Sequence, residues 1–299
     1  MKKILVTGGT VFVSRYIAEY YVAKGDDVYV LNRNTKVQSK GVTLIEADRH
    51  NLGDTLRDYR FDTVIDTAYS AQDVELMLDA LGEYENYILI SSSAVYPEYV
   101  PQPFKEDDPL SVNKYWGKYG TDKIAAETAL LKQSPNAYIL RPPYLYGPMN
   151  NIYREAFVFD CALADREFYL PKNGDMTLQF FHIHDLCRFI DILLKEKPSQ
   201  HIFNVGNKEP VSIRKWVEVC YDTVGKQAAF VNVYQDVEQR NYFSFYDYAY
   251  CLDVSLQYEL MPDVKSLEQG LKESYAWYRN NKEQVTRKPL IEYIDNNLR

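Results

Sequence analysis

The sequence predicts a doubly wound α/β protein with a smaller α+β lobe behind it, and three observations carry that expectation. Short β-branched strands alternate with helical segments through the first half. A glycine pair interrupts the chain directly after the first strand. The second half loses the alternation and mixes helices with aromatic strands.

The elements follow in order. Lys3–Thr7 is a short apolar run ending in glycines, and Val13–Lys24 has helical periodicity. Asp27–Asn32 and Val42–Ile45 read as the next strands, then Thr63–Asp66, a helix over Ala71–Leu81, and a fifth strand at Tyr87–Ser91. A long helix over Tyr115–Lys132 and a sixth strand at Ala137–Arg141 complete the alternation, which calls for parallel strands joined by right-handed crossovers. Helices over Ser212–Val224 and Leu267–Asn281 belong to the second lobe, and the aromatic run Tyr242–Tyr250 reads as a strand and loop there. The division is 1–150 for the nucleotide-type domain and 151–299 mainly for the second lobe, with a stretch near 178–208 returning to the first. No repeat or low-complexity linker separates the two.

The 299 residues suffice for a sizeable core, and 46% hydrophobic with 25% charged residues excludes wholesale disorder. Acidic residues outnumber basic ones by 42 to 34, for a net charge of −8 without a basic stripe, so nucleic acid is not an expected partner. The N-terminal apolar run is too short for a secretory signal and no stretch is long enough for a membrane span, which predicts a cytoplasmic protein. Cys161, Cys187, Cys220 and Cys251 lie far apart, without metal-type spacing, and read as reduced thiols. The 27 tyrosines are in excess of an ordinary composition and ask which of them do chemistry.

Candidate functional residues come from motif order. The turn Thr7-Gly8-Gly9-Thr10-Val11-Phe12-Val13 between strand and helix aims backbone N–H groups and a helix N-terminus at a phosphate. At the second strand's tip, Asn32-Arg33 stand where an acid would grip a ribose 2′-hydroxyl and an arginine would accept a 2′-phosphate. Tyr119 and Lys123 are four apart on the long helix, so phenol and ammonium share a face, and a cation there would favour the phenolate. Ser91-Ser92-Ser93 end the fifth strand, where α/β sheets bind ligands. The cluster His182-x-His184-Asp185 lacks further ligands at metal spacing and is accounted for by a strand end and an aspartate N-cap.

Together these motifs resemble the extended short-chain dehydrogenase/reductase family, the NAD-dependent epimerase/dehydratases, across most of the chain. The loop is similar to TGxxGxxG, with Val11 and Ser14 in place of the second and third glycines. A non-glycine at the first of these resembles the subgroup of the chloroplast stem-loop RNA-binding proteins. Arg141–Pro148 (RPPYLYGP) resembles RPxNxYGP, and Gln179–Leu186 resembles FxHVDDL. The resemblance implies a Rossmann-type fold, an NAD(P) cofactor and a Ser92–Tyr119–Lys123 triad. Tyr119 would move the hydroxyl proton, Ser92 would orient that oxygen, and Lys123 would hold the nicotinamide ribose and lower the Tyr119 pKa. It implies further cofactor contacts at Asp48 and Pro142, and a sugar or nucleotide-sugar substrate, with Ser93, Tyr96, Tyr144, Asn151 and Arg240 as candidate contacts. Asn32-Arg33 tilt the cofactor towards NADP. Ser93-Ala94 after Ser92, where the dehydratases have Asp-Glu, argue against water elimination and leave epimerase or reductase chemistry. Alternatives are an NADPH-dependent reductase of a small carbonyl, a non-catalytic nucleotide sensor or RNA-associated relative, and a structural subunit with a vestigial pocket. The resemblance also implies a homodimer through helices including the YxxxK helix, although Ile124, Ala125, Thr128, Leu130 and Leu131 equally suit a core.

Overall fold

A computed structural model describes residues 1–299. The first half runs β1 (Lys3–Thr7), α1 (Phe12–Ala23), β2 (Asp27–Asn32), β3 (Val42–Glu46), β4 (Arg60–Asp66), α2 (Ala71–Ala80), β5 (Glu83–Ile90), α3 (Lys118–Gln133) and β6 (Tyr138–Arg141). There follow β7 (Tyr144–Tyr146), α4 (Glu155–Leu163), β8 (Phe168–Pro171), β9 (Thr177–Leu178), β10 (Phe180–His182), α5 (Ile183–Glu196) and β11 (Ile202–Asn204). The chain ends with β12 (Val211–Ser212), α6 (Ile213–Val224), β13 (Phe230–Val233), α7 (Ser255–Leu260), α8 (Leu267–Tyr278) and α9 (Leu290–Asn297).

Seven strands form one sheet in the order β11-β6-β5-β4-β1-β2-β3, and every pairing in it is parallel. The order reverses beside β1, so the crevice at the carboxyl ends of β1 and β4 is the topological switch point. The central strands are apolar on both faces: Ile4, Val6, Val30 and Ile88 pack under α1 and α5, while Leu5, Val64 and Leu89 pack under α2 and α3. The edge strand β11 comes from the later part of the chain and pairs with β6 from Ile202↔Ile139 to Asn204↔Arg141. A third core of 37 buried residues fills the second lobe, and its rings include Tyr144, Phe180, Trp216 and Phe245.

Local signals explain several element ends. Ser70 and Asp73 form a reciprocal capping box on α2, and Ser212 caps α6, which stops at Gly225 in the left-handed region. The helix expected from Tyr115 begins instead at Lys118, because the chain turns at Asn113–Gly117 with Gly117 at φ +50°. Along α3, Leu130 is buried under the sheet, Ile124 and Leu131 are half-buried, and Ala125 and Thr128 are exposed.

Two expectations give way. The run Tyr242–Tyr250 forms no strand; it is irregular backbone that drives Tyr242, Phe243, Phe245, Tyr248 and Tyr250 into the core. Its aromatic periodicity records burial without ladder pairing. The N-cap of α5 is His182, whose Nδ1 accepts from the His184 N–H at 3.2 Å, while Asp185 is buried further along and accepts from the Lys265 N–H at 2.7 Å. No helix is long and apolar enough to cross a membrane.

Candidate active site

The loop between β1 and α1 is shaped by two glycines at positive φ, +87° at Gly8 and +79° at Gly9. A Cβ on Gly9 would lie 2.4 Å from Val30 Cγ1, so the loop must lie flat on β2. Asn32 holds it from the other side, its amide donating to the Gly8 carbonyl at 2.7 Å. Ser14, in the first turn of α1, is buried against the loop, and its Oγ donates to the Val11 carbonyl at 3.1 Å. Phe12 carries a φ of +29°, a strained value for a side-chain-bearing residue. No side chain caps α1 and no acid stands in its first turn, so its N-terminal amides are free to meet an anion.

Two adjoining clefts open over this loop and share Gly8, Val11, Thr67 and Tyr69 in their walls. One, of about 730 Å³, lies over the ends of β1–β4 and is bounded by Thr7, Asn32, Arg33, Asp48, Arg49 and Asp73 among others. The other, of about 560 Å³, runs to the second lobe and takes in Thr10, Phe12, Val13, Ser92, Ser93, Tyr119, Lys123, Pro142, Tyr144 and Asn151. A bipartite crevice over positive-φ glycines and an uncapped helix N-terminus fits a dinucleotide. Val11 lines both clefts while packing on the core beneath α1.

Three residues nominated from sequence fall elsewhere. Gly9 is buried against Val30 and lines neither cleft. Tyr96 is fully buried, its hydroxyl donating to Asn204 Oδ1 at 2.8 Å and accepting from Arg141 Nη1 at 2.8 Å. Burial pushes that phenol up to about 12, so it is a structural group. Arg240 stands behind the cleft, its guanidinium 4.6 Å from the centre of the Tyr246 ring.

The Ser–Tyr–Lys group meets at the junction of the clefts. Ser92 leaves β5 in extended backbone, and its Oγ accepts from the Ala94 N–H at 3.2 Å. Tyr119, in the first turn of α3, keeps 39% of its surface open to the cleft, yet its hydroxyl lies deep enough that desolvation raises its pKa. The Ser92 hydroxyl and the Arg154 charge act in the opposite direction. Lys123 contributes less than expected. Its ammonium donates to the Ala68 carbonyl at 2.6 Å and the Ile90 carbonyl at 2.9 Å, with the Tyr69 ring centre 5.1 Å away. Burial lowers the Lys123 pKa to about 8. The expectation that Lys123 pulls the Tyr119 pKa down is not met in this geometry: burial and Tyr69 raise the phenol against Ser92 and Arg154, while Lys123 faces the carbonyls of Ala68, just past β4, and Ile90, at the end of β5.

Below these groups lies a buried polar network. Ser91 donates to Glu127, which is paired with Arg141 at 2.6 Å, both almost fully buried. On the other side of the crevice Asp66 is wholly buried and accepts from Thr7 at 2.7 Å, Tyr87 at 2.6 Å and Arg49 at 3.0 Å. Sequence reasoning passed over Tyr69, Trp116 and Arg154, which also line the cleft. Tyr69 had a positional signal, three residues beyond the end of β4. Trp116 and Arg154 had none, because the turn before α3 and the loop before α4 reach the crevice only through tertiary packing.

The profile of the family described as NAD dependent epimerase/dehydratase matches residues 4–83 and 73–206, about two thirds of the chain. The chain belongs to this family. Among curated proteins it is similar to the chloroplast stem-loop binding protein of 41 kDa b of Arabidopsis thaliana, 30% identical over 244 residues. That match covers 73% of this chain and 62% of the relative, so less than two thirds of the relative's length is represented. Solved folds of the same kind include dTDP-glucose 4,6-dehydratase of Bacillus anthracis in complex with NAD, at TM-score 0.75 and 19% identity, covering 97% of this chain and all of that one. UDP-glucose 4-epimerase of Thermotoga maritima with UDP-glucose superposes at TM-score 0.76 and 20% identity, covering 94% and 99%. Family and fold make the protein an extended short-chain dehydrogenase/reductase with an NAD(P)-type crevice.

Proposed function

We propose that the protein moves a hydride between NAD(P) and a hydroxyl-bearing or keto carbon of a sugar or nucleotide sugar, as an epimerase or reductase. The observation that carries this reading is the meeting of Ser92, Tyr119 and Lys123 in one cleft with the β1–α1 loop. The bound nicotinamide supplies or takes the hydride. Tyr119 exchanges the proton of the reacting hydroxyl, and Ser92 donates to or accepts from the same oxygen. Lys123 uses two of its three donors on carbonyls, which leaves one for a ribose hydroxyl. Gly8 and the amides opening α1 hold the pyrophosphate, with Asp48 at the adenine end. Ser93 is a supporting group, since its Oγ donates to the Tyr250 hydroxyl at 3.0 Å. Tyr144 and Asn151 wall the substrate end.

Asn32 and Arg33 favour NADP in this reading, because Arg33 is exposed at the cleft and no acid stands at the tip of β2. Titration calorimetry with NAD and NADP in parallel tests the cofactor reading. Tight binding of either supports it, preference for NADP moves the reaction towards reductase, and no binding of either defeats it. The name of the 30% identical relative favours a second reading, an RNA-associated protein. The net charge of −8 opposes it, and salt-dependent retention of a stem-loop RNA on a filter would be needed to revive it.

A further inference from the structure

We propose that Tyr69 is a positioning residue that acts through Lys123: its ring and the ribose next to the nicotinamide compete for one ammonium donor, so the ring swings aside when the dinucleotide seats. The proposal deepens the oxidoreductase reading and rests on it for the cofactor.

Tyr69 stands where the two clefts adjoin and lines both of them. Gly8, Val11 and Thr67 share that position, and Tyr69 is the one aromatic side chain among the four. The Lys123 ammonium has three donors. Two of them go to the Ala68 carbonyl at 2.6 Å and the Ile90 carbonyl at 2.9 Å. The Tyr69 ring covers the third, with its centre 5.1 Å from Nζ and within cation–π range. Lys123 belongs to the cleft wall yet is only 3% exposed, so an oxygen arriving from the cleft meets the ring before it meets the ammonium.

The backbone of Tyr69 is held firmly and its ring loosely. Its N–H donates to Asp73 Oδ2 at 2.9 Å, and the Ser70 N–H donates to the same oxygen at 3.1 Å, within the capping box that opens α2. The preceding residue, Ala68, is fully buried with its carbonyl on Lys123. The Tyr69 side chain, in contrast, is 63% exposed. It meets the Tyr119 ring at 6.1 Å between centres, with the planes tilted by 59°. Rotation about the Cα–Cβ bond therefore moves the ring without disturbing the turn or the bond from Lys123 to Ala68, and exposed rotamers exchange quickly. What the rotation gives up is the cation–π contact, and the ribose hydroxyl takes over the donor that the ring releases.

Calorimetric titration of the full chain with NAD, NADP and ADP tests this in wild type, Tyr69→Ala and Tyr69→Phe; ADP lacks the nicotinamide ribose. Tyr69→Ala should bind the preferred dinucleotide about three- to tenfold more tightly than wild type, with ADP unchanged. Tyr69→Phe keeps the ring face and should match wild type for every probe. Reductive methylation of Lys123 without nucleotide, read by peptide mass spectrometry, reports the cover directly and should accelerate about threefold or more in Tyr69→Ala alone. Circular dichroism verifies that both variants are folded. Unchanged or weaker dinucleotide binding by Tyr69→Ala overturns the proposal, as does an equal gain for ADP, a methylation rate indifferent to the ring, or a Tyr69→Phe variant that behaves like Tyr69→Ala. Failure of the oxidoreductase reading looks different: no dinucleotide binds any of the three proteins, and the proposal falls with it.

Discussion

Replacing Glu127 by Gln strikes the charge network beneath the site without touching the cleft wall. Burial alone would weaken the Arg141 charge, and Glu127 beside it reverses that effect, raising the Arg141 pKa. Glu127 accepts from Arg141 Nε at 3.1 Å and from Nη2 at 2.6 Å, and both side chains are at most 3% exposed. Neutralising one partner leaves a buried guanidinium without its counter-charge, which costs about 3–5 kcal/mol. With an unfolding entropy of about 2 cal/mol/K per residue, that loss lowers the melting temperature of a chain this long by about 5–8 °C. Thermal and urea denaturation followed by circular dichroism measure it. The double variant Glu127→Leu/Arg141→Met removes both charges and should lose less than Glu127→Gln, although Tyr96 and the Glu106 carbonyl then give up their contacts with Arg141. A loss below about 1 kcal/mol for Glu127→Gln would refute the reasoning, because it would mean that water or another base already compensates Arg141.

Tyr119→Phe should cut hydride transfer, read from nicotinamide absorbance, by about 10²–10⁴-fold while cofactor affinity stays within about tenfold. Its hydroxyl anchors nothing in the core, so the melting temperature should move by no more than about 1 °C; turnover near wild type would dissolve the triad assignment. Lys123 has a folded pKa of about 8 against the ordinary value of about 10.4, so from pH 8 to 10 the unfolded chain holds a proton that the folded chain does not. On this group's account stability rises with pH through that window, by up to about 1.4 kcal/mol per unit, and the burial penalty is complete below it. Wild-type stability measured against Lys123→Met should climb accordingly, and parallel curves for the two proteins would contradict the low pKa. Gly9→Ala places a Cβ 2.4 Å from Val30 Cγ1 at φ +79° and should cost about 2–4 kcal/mol in urea melts. Adding Val30→Ala should return part of that loss, whereas no recovery would shift the cause to backbone strain alone.

Much of the architecture was legible because the determinants are local and periodic. β1 to β6 announce themselves as β-branched runs, and the loop at Thr7–Val13 is marked by glycines that only a positive φ explains. Ser92, Tyr119 and Lys123 emerge from motif order, since strand ends in a parallel sheet all point to one edge. Tyr96 misled because a tyrosine four residues past Ser92 shares a motif with it without sharing its cleft; the hydroxyl turns towards Arg141 and Asn204. The aromatic run Tyr242–Tyr250 misled for a related reason, as burial imitates strand periodicity when a loop is pressed into a core.

The sequence by itself therefore determined the parallel sheet, its phosphate-type turn and the candidate triad, because each depends on backbone periodicity or on spacing along one element. Only the tertiary structure decided which donors Lys123 spends on carbonyls, that Glu127 neutralises Arg141, and that Trp116 and Arg154 reach the cleft. Those outcomes depend on desolvation and on distances between residues far apart in the chain, where neither helical nor strand spacing carries information.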